Sequence, residues 1–153
     1  MKTLRRYIEE GRVYFTTSLT QGKRKIFENP EAAIEVINQI YRLREKKHMN
    51  LLAFVVMPEH LHLLCQPLDK DISLIMRHIK RNSSFNICRL LNIKAPIWVK
   101  RFHDEVMTTY DGVIETINYI HLNPVTRGLV ERPEDYPFSS AYQGFELDWE
   151  GVL

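Results

Sequence analysis

The 153-residue sequence has few cysteines and no long apolar run, the features that mark disulfide-rich and membrane-spanning proteins. It has only two cysteines, Cys65 in an apolar stretch and Cys88 in a predicted helix, and their spacing suits neither a metal site nor a disulfide framework. No apolar run approaches the ~20 residues that cross a bilayer, and the basic N-terminus leads into polar residues rather than an apolar signal core. We therefore expect a protein of the reducing cytoplasm with both thiols free.

Charge of one sign is also scarce, because the formal net charge is only +2. Any attraction to nucleic acid must then come from local basic patches rather than from total charge. The hydrophobic share of 44% and the charged share of 26% are those of an ordinary globular protein. There are no internal repeats or low-complexity tracts, and we expect residues 1–153 to form a single domain in which 125–153 is an irregular tail.

The pattern of apolar residues predicts strands and helices in a definite order. Strands are predicted at 13–18, 51–57, 60–66 and within 98–108, and helices at 30–47, 72–91 and 113–123. Asp111 is a plausible cap for the third helix, and Pro124 is predicted to end it. In the second helix, Leu90 is assigned to the apolar side. The order indicates an α+β fold, a ferredoxin-like split βαβ antiparallel sheet with two helices on one face. The other face of such a sheet is free, and the third helix can lie there.

Two histidines follow the buried strand of residues 51–57. In an extended chain His60 and His62 project to the same face, because alternate side chains of a strand share a face. Two neighbouring imidazoles can bind one metal ion. A His-x-His pattern on its own has another explanation: the strand is half-exposed and its histidines have no chemical role.

A tyrosine and an asparagine lie four residues apart on the third predicted helix. Tyr119 and Asn123 therefore stack on one helical face, about a third of a turn from the apolar stripe. A structural tyrosine would more often lie on that stripe. The pattern predicts a site with two imidazoles, one amide oxygen and one phenol. The competing tyrosines are Tyr110, Tyr136, Tyr142, Tyr7, Tyr14 and Tyr41.

These stretches resemble a known family. Pro58-Glu59-His60-Leu61-His62 is similar to the histidine-hydrophobe-histidine (HUH) motif of single-tyrosine transposases. The segments 119–130 and 133–140 resemble the C-terminal signature of REP-associated tyrosine transposases, a branch of the insertion sequence 200 type. The likeness runs from about Arg5 to Tyr142.

The resemblance implies a role for each matching residue. His60, His62 and Asn123 would bind a divalent metal, and Tyr119 would be the nucleophile that cuts single-stranded DNA carrying hairpins. Imidazole and amide ligands together suit Mg²⁺ or Mn²⁺. Attack by Tyr119 would leave a 5′-phosphotyrosine and a free 3′-OH, from which strands can be rejoined. Relatives often have a histidine where this chain has Glu105, so a role for that position is in doubt.

Basic residues that could contact DNA phosphates occur along most of the chain. They are Arg5, Arg6, Lys23, Arg24, Arg77, Lys80, Arg81, Lys100, Arg101 and Arg127. A solvated face is the ordinary explanation for the stripe of Arg77, Lys80 and Arg81. Bases could stack on Tyr7, Tyr14 or Phe15.

Three other functions are compatible with the sequence. A module that binds hairpins without cutting them has no need for all four site residues, and a nuclease that uses water would not need the tyrosine. A structural metal-binding domain would have no affinity for single strands. The sequence leaves open whether the active form is a monomer or a dimer with shared sites.

Overall fold

The computed structural model describes residues 3–148 as a four-stranded antiparallel sheet with α-helices on both faces. The strands are β1 (Tyr14–Leu19), β2 (Met49–Met57), β3 (His60–Pro67) and β4 (His103–Val106). The helices are α1 (Leu4–Glu9), α2 (Pro30–Glu45), α3 (Ile72–Leu91) and α4 (Tyr110–Thr126). The strand order is β2-β3-β1-β4 with antiparallel pairing throughout, which confirms the ferredoxin-like sheet.

The two faces of β3 contact different helices. Leu61, Leu63 and Cys65 pack into the core formed with α2 and α3. Leu64 points the other way, into a second core with α4 and α1. The alternation of the strand therefore places His60 and His62 on the α4 side, and the prediction that the third helix lies on the opposite face from the other two is confirmed.

The hairpin of β2 and β3 is the centre of the sheet. Every residue from Leu51 to Met57 is buried, as expected of a strand that is covered on both faces. A two-residue turn, Pro58–Glu59, connects Met57 to His60, and these two residues are paired in the register. The turn is anchored because Phe27 donates its backbone N–H to the Pro58 carbonyl and Thr20 donates its own to the Glu59 carbonyl, at 3.0 and 2.9 Å.

The chain after α4 covers the free edge of β2. The Val56 N–H donates to the Phe138 carbonyl at 2.8 Å, and the Ser140 N–H donates to the Phe54 carbonyl at 2.9 Å. Further along, the Asp148 N–H donates to the Leu51 carbonyl at 2.8 Å. An edge that would otherwise expose unpaired backbone groups is thereby closed. Residues 1–2 and the end of the predicted tail, 149–153, lie outside the described residues.

Three details of the sequence predictions for helices were wrong. Helix α4 passes through Pro124 and ends at Thr126, because the proline lies in the last turn, where it removes one hydrogen bond while Arg127 N–H still donates to the Asn123 carbonyl. Thr109 rather than Asp111 caps the helix, since its hydroxyl accepts from Gly112 N–H. Leu90 is 48% exposed near the end of α3.

Helix α1 was not predicted, since it spans only six residues. Too few turns are present for a hydrophobic period to show in the sequence. Across the part of the chain that the structure describes, no helix combines the length and apolar character that crossing a membrane requires.

Candidate active site

The two histidines converge on one point at the start of β3. The Nε2 atoms of His60 and His62 lie 3.1 Å apart, and both side chains are buried. Their rings are tilted steeply to one another, with centroids 4.5 Å apart. The predicted pairing of the two imidazoles on one face is therefore present.

Each imidazole is held through its other nitrogen. His60 Nδ1 lies 2.9 Å from Glu59 Oε1, and His62 Nδ1 lies 2.9 Å from Thr17 Oγ1. A carboxylate only accepts hydrogen bonds, so His60 carries its proton on Nδ1 and keeps a lone pair on Nε2. The Thr17 hydroxyl can accept in the same way from His62. Since both Nδ1 atoms have protein partners, the two Nε2 atoms are the ring nitrogens that face each other and could bind a shared cation.

The surroundings keep both rings neutral. Burial lowers the pKa of His60, although the Glu59 carboxylate opposes this. Burial together with the neighbouring His60 lowers the pKa of His62 to about 3. Neutral imidazole is the form that binds metal ions, so neither ring needs to lose a proton near neutral pH.

Helix α4 adds the tyrosine and the asparagine. The Tyr119 ring lies 5.5 Å from that of His62 and 6.1 Å from that of Phe15, measured between centroids. Tyr119 is 53% exposed, which leaves its hydroxyl accessible to a large substrate. Asn123 is buried, and its Oδ1 atom has no hydrogen-bond partner within the structure.

This set of donors fits a divalent cation. A buried amide oxygen without a partner is costly, and a bound cation would satisfy it. Two ligand nitrogens about 2.1 Å from one ion can lie about 3 Å apart, which the 3.1 Å separation of the Nε2 atoms matches. Among residues 3–148 no cluster of three His, Cys, Asp or Glu side chains is placed to hold a metal.

Four of the basic residues proposed for DNA contact lie together. A cleft of about 350 Å³ beside α3 is lined by Ser73, Arg77, Lys80, Arg81, Lys100 and Phe102. Lys80 is the least free of them, because its Nζ donates to the carbonyls of Val99, Lys100 and Arg101 at 2.6, 3.3 and 3.2 Å. The cleft is on the α3 side of the sheet, away from the histidines.

The other basic candidates are scattered. The Arg5 guanidinium lies over the Tyr110 ring, and Arg6 pairs with Glu10 across 3.5 Å. Arg24 donates to the carbonyls of Gln21 and Pro96, in the exposed loop that also contains Lys23.

Arg127 is next to the site, where it donates to Glu59 Oε1 at 2.7 Å. The same Oε1 atom lies beside His60 Nδ1, and Oε2 is buried without a hydrogen-bond partner.

The aromatic candidates differ in position. Phe15 contacts His62, with ring centroids 5.3 Å apart, and so lies at the site. Tyr14 packs against the α2 and α3 core, and the Arg12 guanidinium lies over the ring of Tyr7. Tyr136 is a packing residue, as expected, because it is buried and its hydroxyl donates to the Val56 carbonyl at 2.7 Å.

Sequence reasoning missed two residues that support the site. Thr17 could not be found, because its place opposite His62 depends on the register of β1 and β3. Glu59 had a signal, since an acidic residue directly precedes the first histidine in a predicted tight turn. Glu105, where relatives often have a histidine, lies on β4 opposite Phe15, and β1 separates it from the strand that carries the two histidines.

Comparison with known proteins identifies the family. Residues 13–123 match the family described as "Transposase IS200 like", which is well over half of the chain. The chain belongs to the IS200-like transposases. It is therefore an enzyme of the transposase class, and the resemblance seen in its motifs is confirmed.

Individual relatives agree with this assignment. The REP-associated tyrosine transposase of Escherichia coli (strain K12) is 27% identical over 96% of this chain and 89% of its own length. A solved structure of a REP-associated tyrosine transposase bound to a REP hairpin has a TM-score of 0.70 at 23% identity, covering 94% of this chain and 92% of that one. A crystal structure from Deinococcus radiodurans r1 has a TM-score of 0.54 at 17% identity, covering 71% and 87%. At these identities the two structures show the fold alone.

Proposed function

We propose that this transposase cuts and rejoins single-stranded DNA that carries hairpins, with Tyr119 as the nucleophile and a 5′-phosphotyrosine as the intermediate. One observation supports this proposal above all: within one chain, the exposed phenol of Tyr119 lies close to three buried donors, those of His60, His62 and Asn123. The Tyr119 ring is 5.5 Å from His62, whose Nε2 is 3.1 Å from that of His60, and Asn123 Oδ1 has no other partner.

In this proposal His60, His62 and Asn123 hold a divalent metal, Mg²⁺ or Mn²⁺. When bound, the ion offsets negative charge on the scissile phosphate, which otherwise repels nucleophiles. Thr17 and Glu59 keep the two imidazoles in the tautomer that presents Nε2. Phe15 contacts the rings of both His62 and Tyr119 and so limits where the phenol can lie.

The chemical step exchanges one phosphate ester for another. The Tyr119 oxygen bonds to the scissile phosphorus, and the bond from phosphorus to the 3′ oxygen breaks. The phenol gives up its proton, and the released 3′ oxygen takes one up. The phosphoester energy is kept in the bond to tyrosine, so a second 3′-OH can reverse the step and join strands without ATP.

The proposed substrate follows from the relatives and from the charges of this chain. One similar structure is described as bound to a REP hairpin, and we propose a comparable palindromic hairpin here. Arg77, Lys80, Arg81 and Lys100 line the cleft by α3 and would contact phosphates of the stem. The histidines lie on the other face, so DNA that reaches both would cross the β4 edge, near Arg101.

The remaining basic candidates are assigned more peripheral contacts. Arg5, Arg6, Lys23 and Arg24 are exposed and would add affinity that depends on salt rather than on sequence. Arg127 is engaged with Glu59 next to the histidines.

The test compares wild type with Tyr119→Phe and with Tyr142→Phe, an exposed tyrosine remote from the histidines in sequence. Each protein is incubated with single-stranded hairpin DNA from the flanks of its own gene and Mn²⁺, and products are separated on a denaturing gel. We expect a covalent protein–DNA adduct from wild type and Tyr142→Phe, none from Tyr119→Phe, and none in EDTA.

Other outcomes would point to other functions. Cleavage that persists in Tyr119→Phe would contradict the nucleophile and favour a nuclease that uses water. Binding without cleavage by any variant, on DNA shown to be cut by a close relative, would favour a hairpin-binding module. Tight metal binding without affinity for single strands would indicate a structural metal domain.

A further inference from the structure

The C-terminal half of α4 faces the start of β3 in successive pairs. Tyr119, Asn123 and Arg127 are spaced four residues apart and so form one stripe of the helix. The first lies against His62, with ring centroids 5.5 Å apart. The second lies close enough to His60 for its amide to interact with that ring.

The third pair is an ion pair. Arg127 Nη1 lies 2.7 Å from Glu59 Oε1, and that same oxygen is 2.9 Å from His60 Nδ1. Arg127 is thus connected to the first histidine through a single carboxylate oxygen. Hydrogen bonds from Arg127 and His60 hold the pKa of Glu59 below its usual value, although burial acts in the opposite direction.

The rise per residue of a helix and of a strand explains why successive residues of α4 can contact successive residues of β3. Four helical residues advance the axis by about 6 Å. Two strand residues advance by about 6.6 Å. The helix positions 119 and 123 can therefore match the strand positions 62 and 60. Arg127, directly after α4, reaches Glu59 in the turn that precedes β3.

The Glu59 carboxylate is held in a place that costs stability. Its side chain is only 12% exposed, and Oε2 is buried without a hydrogen-bond partner. Its backbone carbonyl already accepts from Thr20, through both the backbone N–H and the hydroxyl at 2.9 and 3.2 Å. The turn is therefore fixed without the carboxylate, so the carboxylate is not needed to build it.

We infer that Glu59 and Arg127 are positioning residues for the first metal ligand. Arg127 orients the Glu59 carboxylate, which fixes His60 with its proton on Nδ1 and Nε2 directed at the site. The same ion pair joins the end of α4 to the β2–β3 turn and so keeps Tyr119 and Asn123 of the same chain over the histidines. The inference deepens the proposed function and rests on it for the identity of the ligand as a metal.

The first measurement determines the tautomer of His60 in the metal-free protein. Long-range ¹⁵N–¹H spectra report which nitrogen of His60 is protonated, with His60→Asn used to assign the signal. We expect the Nδ1–H tautomer in wild type and in Glu59→Gln, whose amide oxygen still accepts. A mixture of tautomers is expected in Glu59→Ala.

The second measurement is the affinity for Mn²⁺ by calorimetry without DNA. We expect Glu59→Ala to weaken binding about 10–100-fold, as is typical when an outer partner of a metal ligand is removed. Arg127→Ala should weaken it about 3–10-fold and Arg127→Lys by less, because lysine keeps the charge. Arg132→Ala is the matched control, since that arginine pairs with Glu134 and Asp135 on the same tail, and it should bind as wild type does.

A double variant of Glu59 and Arg127 distinguishes two explanations for weaker Mn²⁺ binding, namely loss of the positioning of His60 and simple loss of charge. If Arg127 acts through the carboxylate, Glu59→Ala with Arg127→Ala should bind Mn²⁺ no more weakly than Glu59→Ala alone. Additive losses would overturn the inference, as would an unchanged His60 tautomer in Glu59→Ala with an unchanged melting temperature.

Failure of the proposed function has a different signature. If wild type forms the adduct and binds Mn²⁺, but Arg127→Ala and Glu59→Ala also bind it normally, the positioning pair is wrong and the function stands. If wild type binds no Mn²⁺ while the tautomer of His60 still depends on Glu59, the metal is wrong and the positioning of His60 stands.

Discussion

At the scale of single residues, protein partners hold the two imidazoles of the candidate site in place. His60 and His62 each use one nitrogen to hold a protein partner, and both remaining nitrogens point to the same place. Asn123 contributes an oxygen that is buried and unused within the structure. A cation would meet three oriented donors with little rearrangement, and such preorganisation favours binding.

Replacement of Asn123 by alanine tests the third donor. We expect Mn²⁺ affinity to fall about tenfold, comparable to loss of a supporting ligand contact. The free energy of unfolding should change by less than about 1 kcal/mol, because the oxygen that is removed has no hydrogen-bond partner. Calorimetry and thermal denaturation measure the two effects.

Asn118→Ala is the control for this substitution. Asn118 is exposed on the same helix, so the change in helix propensity is the same. Equal losses of Mn²⁺ affinity in the two variants would argue against Asn123 as a ligand.

His121 predicts a dependence of stability on pH. Burial lowers the pKa of His121 to about 4, and its Nε2 lies 2.7 Å from Ser140 Oγ. The unfolded chain, with an ordinary histidine pKa of about 6.5, binds a proton first as the pH falls. The folded state should therefore lose roughly 1–3 kcal/mol of stability between pH 6.5 and about 4, with no further loss from this residue below that range.

Urea denaturation of metal-free wild type and His121→Gln at several pH values measures this contribution. Other buried histidines give wild type and variant the same background, so the difference between the two slopes belongs to His121. Parallel slopes would contradict the assignment of the low pKa to this ring.

At the scale of elements, the segment after α4 stabilises the sheet as well as closing its edge. Asp148 accepts from Leu51 N–H at 2.8 Å and forms two hydrogen bonds with the Arg44 guanidinium, at 2.9 and 3.0 Å. Helix α2, strand β2 and the tail are joined at this carboxylate. The ion pair is partly buried on both sides, which makes it stronger than an exposed pair.

Asp148→Ala should lower the free energy of unfolding by about 1–3 kcal/mol, because it removes charge-assisted hydrogen bonds and leaves Arg44 without its main partner. Denaturant titration measures the loss. Asp135→Ala, which removes a carboxylate from an exposed pair with Arg132, should cost less than about 1 kcal/mol. Similar losses in both variants would show that the tail contact contributes little.

Elements with a clear period could be predicted from the sequence, whereas those without one could not. Helix α2 has an asparagine cap and a proline in its first turn, and its bounds were close to the predicted ones. Strand β4 has four exposed residues and no alternation, so only a broad region could be proposed for it. The end of α4 was misjudged because a proline in a last turn costs less than one in a helix interior.

The candidate site was predictable to the extent that its residues are local in sequence. His60 with His62, and Tyr119 with Asn123, follow from the periods of strand and helix. Their meeting depended on the predicted placement of the third helix on the free face of the sheet. The positions of Thr17 and of the Arg127–Glu59 pair depend on how separate elements align in the fold. The helical and strand periods of the sequence do not show this.

At the scale of the whole molecule, basic residues and histidines occupy different faces. Arg77, Arg81 and Lys100 line a cleft next to α3, and the histidines face α4. The net charge of +2 is too small to give the proposed DNA affinity without such clustering. We therefore expect mutations in the cleft to change the affinity for DNA, and mutations at the histidines to change DNA cleavage.

Arg77→Ala should weaken binding of hairpin DNA and lower the slope of log affinity against log salt by about 1. Metal affinity should stay unchanged, because the cleft is on the other side of the sheet. Fluorescence anisotropy at several salt concentrations measures the slope, with Arg132→Ala as the control. An unchanged slope in Arg77→Ala would place the phosphate contacts elsewhere.

The most direct test of the central claim is identification of the residue that becomes attached to DNA. Wild type is incubated with Mn²⁺ and hairpin DNA, the adduct is digested with protease and nuclease, and the modified peptide is sequenced by mass spectrometry. We predict a nucleotide linked through its 5′-phosphate to Tyr119. A nucleotide on Tyr110, Tyr142 or any other residue, or a linkage through a 3′-phosphate, would contradict the account.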